Sequence, residues 1–305
     1  MRALYWEIDL HPSAGTVEGP PPISLFMKNP TIFGAGLAVL FLLSTPLLAE
    51  QVVFSEIHYN PKDGKPEYIE IRNLTATPFD IANWRISGGV DFEFPDFTGD
   101  HPADTYLSEF EYIVVSAVDE ATLRASYTFP AETKVFSSWT GALNNAGEHL
   151  VLEDKNGTLR AEVTYNDDGR KWPIAADGAG HSVHLAKANR GGSNWRNWEA
   201  SRDPDGTPGE PASTGQALSA LLDLSEIHFA LNGEVDWVEL HAPGDAAVPV
   251  GTYSIASLKD FSDAIPLSGS ITAGGYASWS TTFTTDLAGD VELYVVDTGG
   301  TVIAA

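Results

Sequence analysis

The sequence predicts an all-β protein built around a β-sandwich, and three observations favour this fold class. Apolar and polar residues alternate with a period of two in several short runs, which is the pattern of strands that bury one face. The 28 glycines and 19 prolines are spread along all 305 residues, as many tight turns require. No long stretch has the spacing of an amphipathic helix, and only a short helical turn is predicted, near Asp119.

The predicted strands are short and lie between turn signals. In one of them Ile69 and Ile71 fall on one face and Glu70 on the other, which predicts a half-buried strand of an antiparallel sheet. The pair Asn156–Gly157 predicts a tight hairpin. Roughly eight such strands between turns indicate a sandwich. The runs are Val52–Ile57, Glu67–Arg72, Ile113–Ser116, Leu150–Glu153, Leu159–Tyr165 and Ser182–Ala186.

A repeat divides the sequence into two copies. The repeated pairs are Ser55–Tyr59 with Ser225–Phe229, Glu67–Ile71 with Val235–Leu240, Phe79–Ile86 with Val248–Ile255, and Gly147–Leu152 with Gly289–Tyr294. After the hairpin turn the first copy has strands at Leu159–Tyr165 and near His181–Leu185, whereas the second copy has only Thr301–Ala305. We therefore expect the second copy to lack at least one strand and to expose an unpaired edge and part of its core. This suggests a shortened sequence or a larger parent protein.

Charge and cysteine content exclude several functions. The 17 Lys and Arg residues stand against 42 Asp and Glu, a formal charge of −25, so nucleic acid and anionic lipid surfaces would be repelled. The absence of cysteine excludes disulfides, thiolate catalysis and Cys-ligated zinc. Stability must therefore come from burial and hydrogen bonding.

A targeting segment is predicted within the first 49 residues. A basic start at Met27, an apolar run of residues 32–43 and a small residue at Ala49 predict a signal peptide at residues 27–49, cleaved after about Ala49. A single-pass membrane anchor is the alternative, although no positively charged flank follows the run. Residues 1–26 have the wrong composition for a signal start and are predicted to be a non-native or disordered extension. We expect a secreted or cell-surface protein with no membrane span after cleavage.

Four segments resemble the lamin tail domain family: Val53–Pro61, Glu67–Asn73, Phe79–Trp84, and the closing stretch from Asn194 to Gly209. The resemblance implies an immunoglobulin-like β-sandwich over residues 50–210, a linker at 211–220 and an incomplete second lamin tail-like domain at 221–305. It implies an exported bacterial binding or structural module. No catalytic residues come with it.

Repeated carboxylates and histidines are the first candidate site residues. Glu56 with Glu226, and Glu70 with Glu239, occupy equivalent places in the two copies, so an acid/base pair is conceivable. We predict instead that they lie on the solvent side of their strands, since no nucleophile or base motif accompanies them. The repeated or clustered histidines are predicted to be surface or core imidazoles rather than zinc ligands. They are His58, His228, His181 and His184.

Turn aspartates and a group of tryptophans are the second set of candidates. Asp167, Asp168, Asp203 and Asp205 offer clustered oxygen ligands for calcium, although Asx turns explain the same residues without a metal. Trp172, Trp195 and Trp198 could stack on a glycan. Alternatively, they could pack the closing stretch against the sandwich.

Together these features predict a secreted, non-catalytic structural or adhesive module at the bacterial cell surface. Its partner is expected to be a protein or an extracellular polysaccharide. No cofactor is expected, with calcium as the one alternative. One alternative is an accessory region of a larger secreted enzyme, of nuclease or kinase-like type. Another is a stand-alone calcium- or glycan-binding protein.

Overall fold

Two β-sandwich halves follow one another along the chain. The structure, a computed structural model, describes residues 50–96, 105–168, 171–212, 221–229, 234–284 and 292–305. All of them belong to one unit of the fold, Leu47–Ala305. The predicted signal peptide and the extension before it lie outside the described residues, as does most of the predicted linker. Within the described part of the chain, no helix has the length and apolar character needed to cross a membrane.

Within the described residues, the first half contains thirteen strands and one short α-helix. The strands are β1 (Val52–His58), β2 (Tyr68–Asn73), β3 (Phe79–Asp80), β4 (Arg85–Ser87), β5 (Val90–Glu93), β6 (Tyr106–Leu107), β7 (Tyr112–Ser116), β8 (Lys134–Phe136), β9 (Thr140–Gly141), β10 (Gly147–Glu153), β11 (Leu159–Asn166), β12 (Val183–Leu185) and β13 (Trp198–Ala200). The helix α1 is Glu120–Ser126, and single 3₁₀ turns lie at Lys62–Gly64, Ile174–Ala176, Ala188–Arg190 and Trp195–Asn197.

Two sheets enclose the first core. Sheet I has the order β13-β12-β1-β2-β7-β8 and sheet II the order β11-β10-β4-β5-β9, while β3 and β6 form a separate pair. Ile69 and Ile71 of sheet I and Leu150 and Leu152 of sheet II are all buried in one apolar cluster. Alternation therefore predicted the inward face correctly, and the fold class is confirmed.

Helix α1 is the one predicted helical element and lies over the outer side of sheet I. The Asp119 side chain accepts a hydrogen bond from the Thr122 N–H at 2.8 Å and caps the first turn. Leu123 of this helix packs with Tyr68 and Val114 of sheet I in a small buried cluster. The outer side of sheet I is therefore partly covered.

The second half repeats part of this plan. Its strands are β14 (Asp223–Phe229), β15 (Glu234–His241), β16 (Val248–Pro249), β17 (Tyr253–Ala256), β18 (Ile265–Pro266), β19 (Ser270–Ile271), β20 (Tyr276–Thr284), β21 (Tyr294–Asp297) and β22 (Val302–Ala304). Sheet III has the order β14-β15-β20 and sheet IV the order β18-β17-β21-β22. Sheet III matches β1-β2-β7 of the first half, and sheet IV matches β5-β4-β10-β11. In the described residues no strand pairs with the outer edge of β14.

The two halves contact each other through a buried histidine and an ion pair. The Val302 N–H donates to Nε2 of His181 at 2.9 Å, and Nδ1 of His181 lies 2.8 Å from the Ser201 carbonyl oxygen. This pattern requires a neutral ring protonated on Nδ1, and burial lowers the pKa of His181 accordingly. Lys259 of the second half pairs with Asp177 of the first.

Equivalent isoleucines should differ in their contribution to stability. Ile57 of β1 is 0% exposed, whereas its repeat partner Ile227 of β14 is only partly buried. We expect Ile57→Ala to cost roughly 2–5 kcal/mol and Ile227→Ala less than about 2 kcal/mol, because a partly exposed side chain loses less contact when truncated. Native-state hydrogen exchange, evaluated separately for each half, measures both values. Equal losses would contradict the incomplete covering of β14.

Candidate functional site

The outer side of sheet I carries a layer of buried polar side chains. Glu56 and Glu70 face each other across β1 and β2 and are only 1% and 2% exposed. The prediction that both lie in solvent is wrong. Residues 201–212, here named the closing segment, run over this side of the sheet. The alternation of apolar and polar residues within a strand carries no information about a segment that covers the strand from so far along the chain.

A β-bulge sets the direction of the Glu56 side chain. The register of β1 against β2 shifts between Phe54 and Glu56. Because of the extra residue, Phe54 and Ile57 both reach the core although they lie three positions apart. Ser55 and Glu56 are left on the outer side of the sheet, where both act as hydrogen-bonding groups.

Glu56 holds the closing segment through its backbone. The Thr207 N–H donates to the two carboxylate oxygens at 3.0 and 3.2 Å. The Ser182 hydroxyl also donates to Glu56. Hydrogen bonds to a buried carboxylate are among the stronger ones in proteins, so this contact fixes the position of the closing segment over the sheet.

Glu70, on the neighbouring strand β2, makes an equivalent contact two residues further along the closing segment. The Gly209 N–H donates to one carboxylate oxygen at 2.6 Å, and the Ser55 hydroxyl donates to the other, also at 2.6 Å. Glu56, Glu70 and the two backbone N–H groups of the closing segment are named the carboxylate latch below. Two hydroxyl groups also donate to its carboxylates: Ser55 of β1 donates to Glu70, and Ser182, the residue before β12, donates to Glu56.

A glycine lets the closing segment approach the latch. Gly206 has a φ of +76°, and a Cβ on it would lie 2.1 Å from a Glu56 oxygen and 2.2 Å from the Tyr68 hydroxyl. Only glycine fits both the conformation and the space. Next to it, the Tyr68 hydroxyl donates to the Asp205 carbonyl at 3.0 Å, and Lys65 pairs with the Asp205 carboxylate at 2.6 Å.

Burial shifts the protonation of both latch carboxylates. It raises the pKa of Glu56 to about 7, while hydrogen bonds from Ser182 and Thr207 oppose the rise. Burial also raises the pKa of Glu70 well above its usual range, and the adjacent charge of Glu56 raises it further. Two carboxylates placed side by side away from water resist full ionisation. The latch therefore favours states in which it retains a proton near neutral pH.

A shallow cavity of about 280 Å³ opens beside the latch. Its lining includes both glutamates as well as Arg72, Tyr112 and His184. The guanidinium of Arg72 stacks on Tyr112 with its carbon 4.7 Å from the ring centre. The oxygens of both glutamates are already taken by the donors described above, so the latch contributes a wall to this cavity rather than a free reactive group.

His58 is buried next to the latch and is 0% exposed. Its ring makes an edge contact with Tyr68 at 5.4 Å and lies 5.7 Å from Tyr127. Burial, together with the positive charge of Lys65, lowers the pKa of His58 to about 3. The ring is therefore neutral at physiological pH and acts as part of the packing.

The aspartates predicted for calcium are placed in two turns. Asp168 accepts a hydrogen bond from the Lys171 N–H at 3.0 Å, and Asp205 is engaged with Lys65. Asp167 precedes the first turn and Asp203 lies in the closing segment. Among the residues that the structure describes, no group of three or more His, Cys, Asp or Glu side chains is arranged to hold a metal ion. The calcium assignment stays a prediction.

The tryptophans predicted for glycan stacking lie mostly inside the protein. Trp172 and Trp198 are each 4% exposed, with ring centres 5.8 Å apart, and Trp195 packs partly buried against the same core. The Trp198 indole N–H donates to the Gly192 carbonyl at 2.7 Å. In this conformation Trp172 and Trp198 offer no free ring face to a sugar. Their burial corresponds to the second alternative stated above, in which the tryptophans pack against the sandwich.

The second half repeats the two glutamates of the latch at positions that are more exposed to solvent. Glu226 is exposed and Glu239 is half-buried at the positions equivalent to Glu56 and Glu70. The Ser225 hydroxyl donates to Glu239 at 2.9 Å, as Ser55 does to Glu70. Repetition of Ser-Glu and of the second Glu in both copies is the sequence signal that could have identified the latch.

A comparison with protein-family models gave a match. The sequence model of the family described as Lamin Tail Domain matches residues 48–167. This family is an immunoglobulin-like, non-enzymatic domain family. No curated protein matches the chain.

Replacing Gly206 should disrupt the latch. We expect Gly206→Ala to destabilise the first half by at least about 2 kcal/mol, because positive φ and the clash with Glu56 both add strain. Gly64→Ala is the matched control, since Gly64 has a φ of +68° but nothing within 4 Å of its added Cβ. Urea unfolding measures both variants. A Gly206→Ala loss no larger than that of Gly64→Ala would argue against close contact at the latch.

Glu56 should make stability depend on pH. Folded Glu56 keeps its proton at pH values where the unfolded chain has lost it, so its contribution falls as pH rises from 4.5 through about 7. Glu56→Gln removes this titration, and its stability relative to wild type should increase by roughly 3 kcal/mol across that interval. Thermal unfolding at a series of pH values measures the difference. The exposed Glu109→Gln serves as control, and a flat difference for Glu56→Gln would refute the raised pKa.

Proposed function

We propose that this chain, whose residues 48–167 form a lamin tail domain, is an exported, non-catalytic structural or adhesive module of the bacterial cell surface or exterior. The observation that carries the proposal is the engagement of both buried carboxylates with the closing segment. These are the groups of the first half best suited to acid/base work, and they serve to hold its cover in place.

The arrangement of the latch supports a scaffold rather than an enzyme. A general acid or base must reach the proton of a bound substrate. Thr207, Gly209, Ser182 and Ser55 already occupy the oxygens of the two glutamates, and a substrate in the adjoining cavity would have to displace them. The match to the lamin tail domain family also favours a scaffold, since domains of this family supply binding or structural surfaces.

Charge limits the choice of partner. A protein with a formal charge of −25 repels phosphate backbones at long range, so we propose a protein or an extracellular polysaccharide as the partner. A cell-surface role agrees with the cysteine-free composition and with a core stabilised entirely by burial and hydrogen bonds.

Export depends on the predicted signal peptide at residues 27–49. In a bacterial host, the protein should appear outside the cytoplasm with Glu50 as its N-terminal residue. Leu40→Arg places a charge in the apolar run and should keep the protein inside with its N-terminus uncleaved, because charged residues in that run oppose insertion. Cell fractionation followed by N-terminal sequencing measures both outcomes.

Leu40→Val is the matched control and should be exported and cleaved like wild type. Wild-type protein that stays in the cytoplasm with residues 27–49 intact would contradict the proposed export.

A further inference from the structure

The two halves meet at a small apolar core of their own, here named the joint. Its buried members come from the loop before β12 in the first half and from β21 and β22 in the second. They are Ala175, Ala179, Tyr294, Val296 and Val302. The alternate residues Val295 and Ile303 belong instead to the core of the second half. Strands β21 and β22 therefore bury one face in their own half and the other against the first half.

Polar contacts surround the joint. The Asp177 carboxylate accepts a hydrogen bond from the Asn60 side-chain amide at 2.6 Å and also pairs with Lys259. The Lys62 ammonium lies 3.9 Å from the centre of the Phe261 ring. These contacts hold the rim, while the apolar side chains exclude water from the centre.

His181 makes the central polar contact of the joint and is 0% exposed. Strand β22 is at the edge of sheet IV, and its Val302 N–H leaves the sheet and donates to Nε2 of His181 at 2.9 Å. On the other side of the ring, Nδ1 lies 2.8 Å from the Ser201 carbonyl oxygen. A buried backbone N–H needs an acceptor. Here that acceptor is an imidazole nitrogen, which ceases to accept when the ring takes up a proton.

We propose that His181 is an acid-sensitive switch that controls the docking of the second half on the first. Protonation puts an N–H on Nε2, so that two donors, Nε2–H and the Val302 N–H, face each other in a site without water. The charged ring also loses its hydration there. The second half then detaches at the joint, while the core of each half stays folded.

The charges around His181 set the pH range of the switch. Asp203 and Asp205 of the closing segment favour the protonated ring, and Asp205 is itself paired with Lys65. Burial outweighs them and leaves the pKa of His181 below its ordinary value of 6.5. The neighbouring His58, on β1, has a pKa of about 3 and stays neutral throughout this range. The switch therefore operates below pH 6.5.

The direction of the pH effect follows from proton linkage. When the halves separate, water reaches His181 and its pKa returns to the ordinary value of 6.5. Below pH 6.5 the separated state therefore binds a proton that the docked state does not. Each further pH unit weakens docking by up to about tenfold, until the docked ring is protonated as well. Above pH 6.5 docking does not depend on this group.

Amide exchange of the full-length protein, measured by NMR from pH 7 to pH 4.5, tests the switch. The protection factor of the Val302 amide, corrected for intrinsic exchange at each pH, should fall by about tenfold between pH 6.5 and pH 5.5. The amide of Ile255 is the internal reference. It lies in β17, which is paired on both edges inside sheet IV, and its protection should stay constant.

Two variants separate His181 from other acid-sensitive groups. In His181→Gln the side-chain oxygen still accepts from the Val302 N–H but does not titrate, so Val302 protection should stay the same from pH 7 to pH 4.5. His149→Gln is the matched control, since His149 is an exposed histidine of the first half. This variant should keep the pH dependence of the wild type.

Three outcomes would overturn the proposal. Val302 protection that does not change with pH in the wild type would show that protonation leaves docking intact. An equal fall in His181→Gln would assign the effect to the pair of Asp177 and Lys259. A parallel fall at Ile255 would show that the second half unfolds in acid instead of detaching. The wild-type measurement is decisive even if a variant fails to fold.

Discussion

Two buried carboxylates tie together parts of the chain that lie 139 and 151 residues apart. Glu56 accepts a backbone hydrogen bond from Thr207 and Glu70 accepts one from Gly209, and the rest of the outer layer of sheet I depends on this constraint. Desolvating a carboxylate costs free energy unless hydrogen bonds compensate. The closing segment provides that compensation and in turn is held over the sheet. Because the chain has no cysteine and so no disulfide, this contact is one of the long-range connections that complete the first half.

Within the described residues, the two halves show the same sheet with a cover in the first half and without one in the second. In sheet I the strand β12 and the closing segment bury the polar layer, and burial shifts the pKa values of Glu56, Glu70 and His58. In sheet III the equivalent glutamates and rings remain accessible. The difference arises from what lies over the strands rather than from the strands themselves, because the bulge and the Ser-to-Glu hydrogen bond are present in both.

Much of the fold could be predicted from local patterns, but the burial of the latch carboxylates could not. Period-two alternation predicted the strands and the inward direction of Ile69 and Ile71, and Asp119 marked the short helix. Burial of Glu56 depends on a bulge that breaks the alternation and on a segment about 150 residues away. Neither leaves a local periodic signal. The stretch containing Gly206 was recognised through its resemblance to a domain family, although its contact with Glu56 was not predicted.

The most direct test of this account is the exchange rate of the Thr207 and Gly209 amide protons in the wild-type protein, measured by NMR. Both lie in an irregular segment, where amides ordinarily exchange fast. If they donate to buried carboxylates, they should exchange as slowly as amides in the interior of β2. Exchange at the rate of an unstructured peptide would contradict the latch and, with it, the explanation for the buried polar layer.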